Sequence, residues 1–173
     1  MKNKLMILMS LIIISSLGFV NAQSPEEFYN INDDANTGVR ETQWIAQGFR
    51  VGINSSNSFT LGNISIKAFR AGAGGLLFIN ITEANSSGSP IGNSLATATF
   101  DFISLTTVSP GVWINISLGH NNLTLTLGTN YTLILSSNTT ENFLWRVEDS
   151  SGYEFKLLFS LNNGSSWAST LSI

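Results

Sequence analysis

Short runs in which apolar and polar residues alternate, separated by Gly, Asn and Ser, recur along the chain, and after Ala22 no apolar residues hold helical spacing for more than a turn or two. Side chains of an extended segment point alternately to its two faces, so such runs are half-buried β-strands. The pattern predicts strands near Thr42–Val51, Phe59–Phe69, Leu76–Thr82, Leu95–Phe102, Val112–Leu118, Leu123–Leu127, Asn130–Ser136, Phe143–Val147, Tyr153–Ser160 and Ser166–Leu171. Many short strands with frequent turns describe an all-β sandwich or barrel. The turns have recognisable chemistry. Ala71-Gly72-Ala73-Gly74-Gly75 and Asn85 to Pro90 supply residues that accept positive φ or fix it, and Asn162-Asn163-Gly164 is a hairpin signal.

Two segments fall outside this pattern. Met1 to Ala22 reads as a cleaved secretory signal: Lys2 and Lys4 precede the apolar run Leu5 to Val20, and Val20-Asn21-Ala22 ends on the small residue a signal peptidase requires. That run is shorter than the roughly 20 residues needed to span a bilayer. Residues 23–41 are polar and aperiodic, and are expected to be a flexible N-terminal arm or a strand that pairs elsewhere. The expected organisation is therefore signal 1–22, arm 23–41 and sandwich 42–173, with secretion to the cell exterior or surface.

Composition narrows the chemistry. The chain has no Cys, and its three Met residues all precede Ala22, so the mature chain has no disulfide, thiolate metal site or cysteine nucleophile. Charged residues make up 11% of the chain, against about 25% in an ordinary soluble domain. Without Lys2 and Lys4, six of the eight basic residues remain against eleven acidic ones. A net negative chain with no basic run is a poor partner for nucleic acid or an anionic membrane.

Amide and hydroxyl side chains take the place of charge. Nine Asn-x-Ser/Thr sequons follow the signal, at Asn54, Asn63, Asn80, Asn85, Asn115, Asn122, Asn130, Asn138 and Asn163, about twice the roughly four that random placement gives. Alternation puts Asn63, Asn80, Asn115, Asn122 and Asn130 opposite the apolar side chains of their strands, and Asn54, Asn85, Asn138 and Asn163 in loops. All nine are candidate N-glycosylation sites.

Catalytic signals are weak, and no enzyme is expected. His120, the one histidine, neighbours Asn121-Asn122 in a predicted turn with no nucleophile motif. Asp101, Glu148, Asp149 and Glu154 could supply a glycosidase pair only if the fold united two of them. Asn32 to Gly38 partly matches a cation-wrapping loop, with Asp33 and Asp34 as candidate calcium ligands, although Gly comes late and no bidentate Glu follows. No other cofactor is expected. Trp44 and Trp113 are the better binding candidates, since parity sets each opposite the apolar face of its strand and an exposed indole is a platform for a sugar ring. Trp145 alternates with Phe143 and Val147 and is expected in the core.

The segments Ala46-Gln47-Gly48-Phe49, Pro90 to Ala98, Gly111-Val112-Trp113, Leu127 to Leu135 and Ser160 to Trp167 together resemble a jelly-roll domain. They look like the carbohydrate-binding-module-like β-sandwich of secreted bacterial and archaeal surface proteins. The resemblance implies a noncatalytic sandwich that accompanies adhesins or glycan-degrading enzymes, with Phe49 and Tyr131 inward and Gly128 and Gly164 at turns. No wall-sorting motif, membrane tail or lipidation cysteine follows Trp167, a departure from the tethered module that the resemblance implies. Two partnerships follow: a glycan or cell-surface protein, or self-assembly into a filament or coat in which residues 23–41 add to a neighbour's sheet edge.

Overall fold

A computed structural model describes residues 35–52, 57–119, 123–147 and 155–169. The described residues form eleven strands: β1 (Ala35–Val39), β2 (Trp44–Arg50), β3 (Phe59–Leu61), β4 (Asn63–Ala71), β5 (Leu76–Ala84), β6 (Pro90–Asp101), β7 (Val112–Ser117), β8 (Leu123–Leu125), β9 (Asn130–Ser137), β10 (Asn142–Val147) and β11 (Leu157–Ser160). No helix occurs among them. A four-stranded sheet has the order β1-β10-β4-β7, a five-stranded sheet the order β11-β2-β9-β5-β6, and β3 pairs with β8 in a small third sheet. Every pairing is antiparallel.

The two larger sheets share one core. The four-stranded sheet contributes Ile66, Ala68, Ile114, Ile116, Phe143 and Trp145, and the five-stranded sheet contributes Ile45, Leu77, Ile79, Ile81, Leu133 and Leu135. Phe102, fully buried just after β6, meets the Phe143 ring edge-on with centroids 5.6 Å apart. Phe49 and Tyr131 are cross-strand partners whose rings stack at 5.8 Å, and the Tyr131 hydroxyl accepts the Thr126 N–H at 3.1 Å. Phe49 and Tyr131 therefore point inward, as alternation requires.

Strand β9 is buried from Tyr131 to Ser137 on both of its faces. Its inner residues enter the main core. On its outer face Ile134 joins Ala46 and Leu158 in a second small cluster, against which Trp44 and Trp167 pack. The loop between β5 and β6 covers the rest. Asn85 Oδ1 accepts the backbone N–H groups of Ser87 and Ser89, both at 3.0 Å, and the Ser87 hydroxyl at 2.7 Å. This holds the loop folded, and Thr132 Oγ1, which is fully buried, donates to the Gly88 carbonyl at 2.8 Å. Gly48 lies beneath the same loop, where a β-carbon would stand 2.8 Å from Gly88 Cα and 3.0 Å from Phe155 Cβ.

Four departures from the sequence expectation exceed a shift of a few residues at a strand end. The first strand among the described residues begins at Ala35 and not at Thr42, because Ala35–Val39 pairs with Val147–Phe143 of β10; residues 23–34 of the expected arm, and the expected signal peptide, lie outside the described residues. The predicted strand 59–69 breaks at Gly62, since Phe59–Leu61 pairs with β8 while Asn63 onward pairs with β7. Strand β6 starts at Pro90: Glu83 faces Ile91 but Ile81 faces Ala96, so residues 92–95 form a bulge, with Gly92 at φ 69°. The predicted strand 166–171 is reduced to one bridge, Ala168 with Phe159, within the described residues. The hairpin turn behaves as its residues dictate, with Asn163 and Gly164 at φ 55° and 78° and Ser165 N–H donating to the Asn162 carbonyl at 3.2 Å.

Candidate functional site

Trp44 and Trp113 both point away from the main core, but on different sheets and with different neighbours. Trp44 begins β2, and its six-membered ring lies so close to Gly164 that a β-carbon there would stand 2.9 Å from Cζ3. With Trp167 it packs against Ala46, Ile134 and Leu158. The loop after β11 thus closes over this indole and leaves it half-buried. Trp44 is thus partly exposed while also packing under that loop, and it lies on a different sheet from Trp113.

Trp113 remains open, with 55% of its surface exposed. It lies on β7, the edge of the four-stranded sheet, where Ile114 and Ile116 turn into the core. Pairing with β4 sets Trp113 opposite Lys67, Asn115 opposite Ser65 and Ser117 opposite Asn63. Facing side chains of an antiparallel pair have β-carbons about 5 Å apart. The indole, the Lys67 amine and a patch of amides and hydroxyls therefore form one continuous surface. Arg146 extends it on β10: Trp145 enters the core, so Arg146 faces outward, and its Nη1 donates to Asn36 Oδ1 of β1 at 2.6 Å.

Strands β1, β10, β4 and β7 contain Lys67, Arg70 and Arg146 and no Asp or Glu. Arg70 falls on the inward parity, where its Nε donates to the Leu105 carbonyl at 2.9 Å. Lys67 and Arg146 have the outward parity of their strands, and each is engaged in a further contact within the structure. Neither residue stands out in the sequence as a binding candidate. The available signal was Lys67 alternating with Ser65 and Asn63; its pairing with Trp113, 46 positions later, depends on strand order.

The sequons divide by accessibility. Asn63, Asn85, Asn115, Asn138 and Asn163 are exposed. Asn80 and Asn130 have the outward parity expected of them yet are half-buried, because β5 and β9 are interior strands of the five-stranded sheet. Asn130 Nδ2 donates to the Asn85 carbonyl at 3.3 Å, and Asn80 Oδ1 accepts from Ser94 Oγ at 3.3 Å. The Asn138 side chain serves the fold, accepting the Leu76 N–H at 3.0 Å. Asn54 and Asn122 lie outside the described residues.

The remaining candidates do not converge. Asp101 ends β6 and accepts the Ile103 N–H at 3.0 Å, which makes it a turn-forming carboxylate. His120, Glu148, Asp149 and Glu154 lie outside the described residues, as do Asp33 and Asp34. The second half of the cation-loop run, Ala35 to Gly38, is paired strand and not a loop wrapped around an ion, and Asn36 Oδ1 is held by Arg146. Among the described residues no three His, Cys, Asp or Glu side chains group to hold a metal ion. Compared with known protein families, with characterised proteins and with solved structures, the chain matches none of them.

Proposed function

We propose that this chain is a secreted, noncatalytic β-sandwich that binds glycans on the outer face of its β1-β10-β4-β7 sheet, with Trp113 as the anchor. The observation that carries this reading is the 55% exposure of Trp113 on an otherwise polar strand face. An indole held at a sheet edge offers a flat apolar surface to the C–H face of a sugar ring, and the amides and hydroxyls of Asn115, Ser65, Ser117 and Asn63 can bond the ring's hydroxyl rim. A jelly roll is the finer fold assignment that fits. Setting aside β11 and the β3-β8 pair, the strands order as first-eighth-third-sixth in one sheet and second-seventh-fourth-fifth in the other, the arrangement of two interlocked Greek keys.

The pairing of Ala35–Val39 with β10 weighs against assembly by strand addition of that segment. The edges carry further obstacles to it, since β6 is bulged and β11 is bridged by Ala168. Secretion is supported by the basic start, apolar run and small residue of Met1 to Ala22.

The test is a polysaccharide panel probed with recombinant unglycosylated protein and with its Trp113→Ala variant. Retention of the parent on at least one polysaccharide, lost in a variant of unchanged melting temperature, is the expected result. No retention on any member, or equal retention of parent and variant, overturns the reading.

A further inference from the structure

We infer that Asn115 carries an N-linked glycan whose first ring packs on the indole of Trp113, so that occupancy of this sequon closes the face described above. The closing of the face rests on its reading as a glycan site, whereas the packing of the attached sugar does not. Trp113-Ile114-Asn115-Ile116-Ser117 is one run of β7 in which Ile114 and Ile116 are buried and the other three side chains are exposed. Residues two apart on a strand share a face, with Cα atoms about 6–7 Å apart. A ring joined to Asn115 Nδ2 therefore lies beside the indole, and its apolar C–H surface meets the aromatic face. Ser65, directly opposite Asn115, and Ser117 are small and exposed and leave the room a ring needs. Among the described residues no strand pairs with the other edge of β7.

Two other sequons isolate what is particular to Asn115. Asn63-Ile64-Ser65 repeats the tripeptide Asn115-Ile116-Ser117 on the adjacent strand, and Asn63 is exposed on the same face. It lies four residues from Lys67, the partner of Trp113, or about 13 Å along the strand. Leu61, two residues before it, belongs to β3 beyond the break at Gly62. Phe78 precedes Asn80 at the spacing of Trp113 before Asn115, but both are half-buried on the interior strand β5, and Asn80 Oδ1 accepts the Ser94 hydroxyl at 3.3 Å. Among the described sequons only Asn115 is an exposed asparagine with an exposed aromatic two residues earlier. In the attachment the Asn115 amide displaces the diphosphate of a lipid-linked oligosaccharide supplied by the secretory host. The C1–O bond breaks with its electron pair leaving on the diphosphate, the C1–Nδ2 bond forms, and one amide proton passes to a base of the host transferase.

The experiment expresses the full chain in a eukaryotic secretory host and trims its glycans with an endoglycosidase to a single N-acetylglucosamine. The trimmed and the unglycosylated proteins are compared as parent, Asn115→Gln, Asn63→Gln, Trp113→Ala and the Asn115→Gln/Trp113→Ala double variant. Peptide mapping is expected to find Asn115 occupied. After subtraction of the unglycosylated values, Asn115→Gln is expected to lower the melting temperature by about 2–6 °C, and by less than about 1 °C where Trp113 is already alanine. Proton resonances of the attached sugar move upfield in the ring current of the indole, a shift lost in Trp113→Ala; its presence in the parent keeps the test valid if that variant is unstable. On a polysaccharide that retains the unglycosylated protein, retention is expected to be lost in the glycoprotein and to return in Asn115→Gln. An empty Asn115 in the secreted chain overturns the proposal. So does an equal melting loss with and without Trp113, or a loss in Asn63→Gln matching that in Asn115→Gln. Full retention of the glycoprotein on the same polysaccharide overturns the closing of the face. If no polysaccharide retains the unglycosylated protein while the melting and resonance shifts appear, the packed glycan stands and the reading of the face as a site for other saccharides falls.

Discussion

Gly48→Ala inserts one carbon at the place where three elements meet most closely. The added β-carbon would stand 2.8 Å from Gly88 Cα and 3.0 Å from both Cβ and Cγ of Phe155, against the 3.5–4.0 Å of an unstrained carbon contact. One neighbour must therefore retreat by about 0.5–1 Å. Gly88 is held by Thr132 Oγ1 at 2.8 Å and by the bonds that Asn85 Oδ1 makes within the same loop. Phe155 is buried at 4% exposure and has little room to swing aside. Overpacking of this kind costs about 1–3 kcal/mol, which for a domain of this size lowers the melting temperature by roughly 3–10 °C. Gly62→Ala is the internal control. No atom lies within 4 Å of its added carbon and its φ is outside the left-handed range, so the smaller entropy of the unfolded chain leaves it neutral or about 0.4–1 kcal/mol more stable. Thermal and urea unfolding followed by circular dichroism compares the two variants with the parent. If Gly48→Ala melts within a degree of the parent, or if Gly62→Ala is the more damaging change, the packing of the β5–β6 loop on β2 is not as described.

Other perturbations test other parts of the structure. Phe102→Ala removes a fully buried ring from its contact with Phe143 and is expected to cost about 3–5 kcal/mol, read as a lower urea midpoint. Thr132→Val keeps side-chain shape but removes the donor to the Gly88 carbonyl; a loss of about 1–3 kcal/mol is expected, and no change in midpoint would mean that the carbonyl finds another donor. Trp44→Ala opens the small cluster beneath Trp167 and lowers stability, whereas Trp113→Ala leaves stability within about 0.5 kcal/mol. Equal losses from the two tryptophans in the same unfolding assay would contradict the assignment of one to packing and the other to the surface.

The sequence determined whatever depends on period two. It set the inward faces of β2, β4, β5, β7 and β9 and the outward parity of Asn63, Asn80, Asn115 and Asn130. It also specified the Asn163-Gly164 turn, because positive φ at both positions is a local steric matter. It left β1 undecided between arm and strand, since Ala-Asn-Thr-Gly-Val carries little apolar alternation and is a strand because β10 lies beside it. Nor did it locate the break at Gly62, which arises where the chain changes partner from β8 to β7.

The candidate site shows the same division. Alternation placed Trp44 and Trp113 equally outward, and nothing local distinguishes them. A loop some 120 residues further on lies over Trp44, while Lys67 is brought opposite Trp113 by pairing that skips two intervening strands. Which way a side chain points is decided by its own backbone. Whether that direction ends in water, in another loop or beside a cation is decided by contacts between distant segments, and only the tertiary structure supplies them.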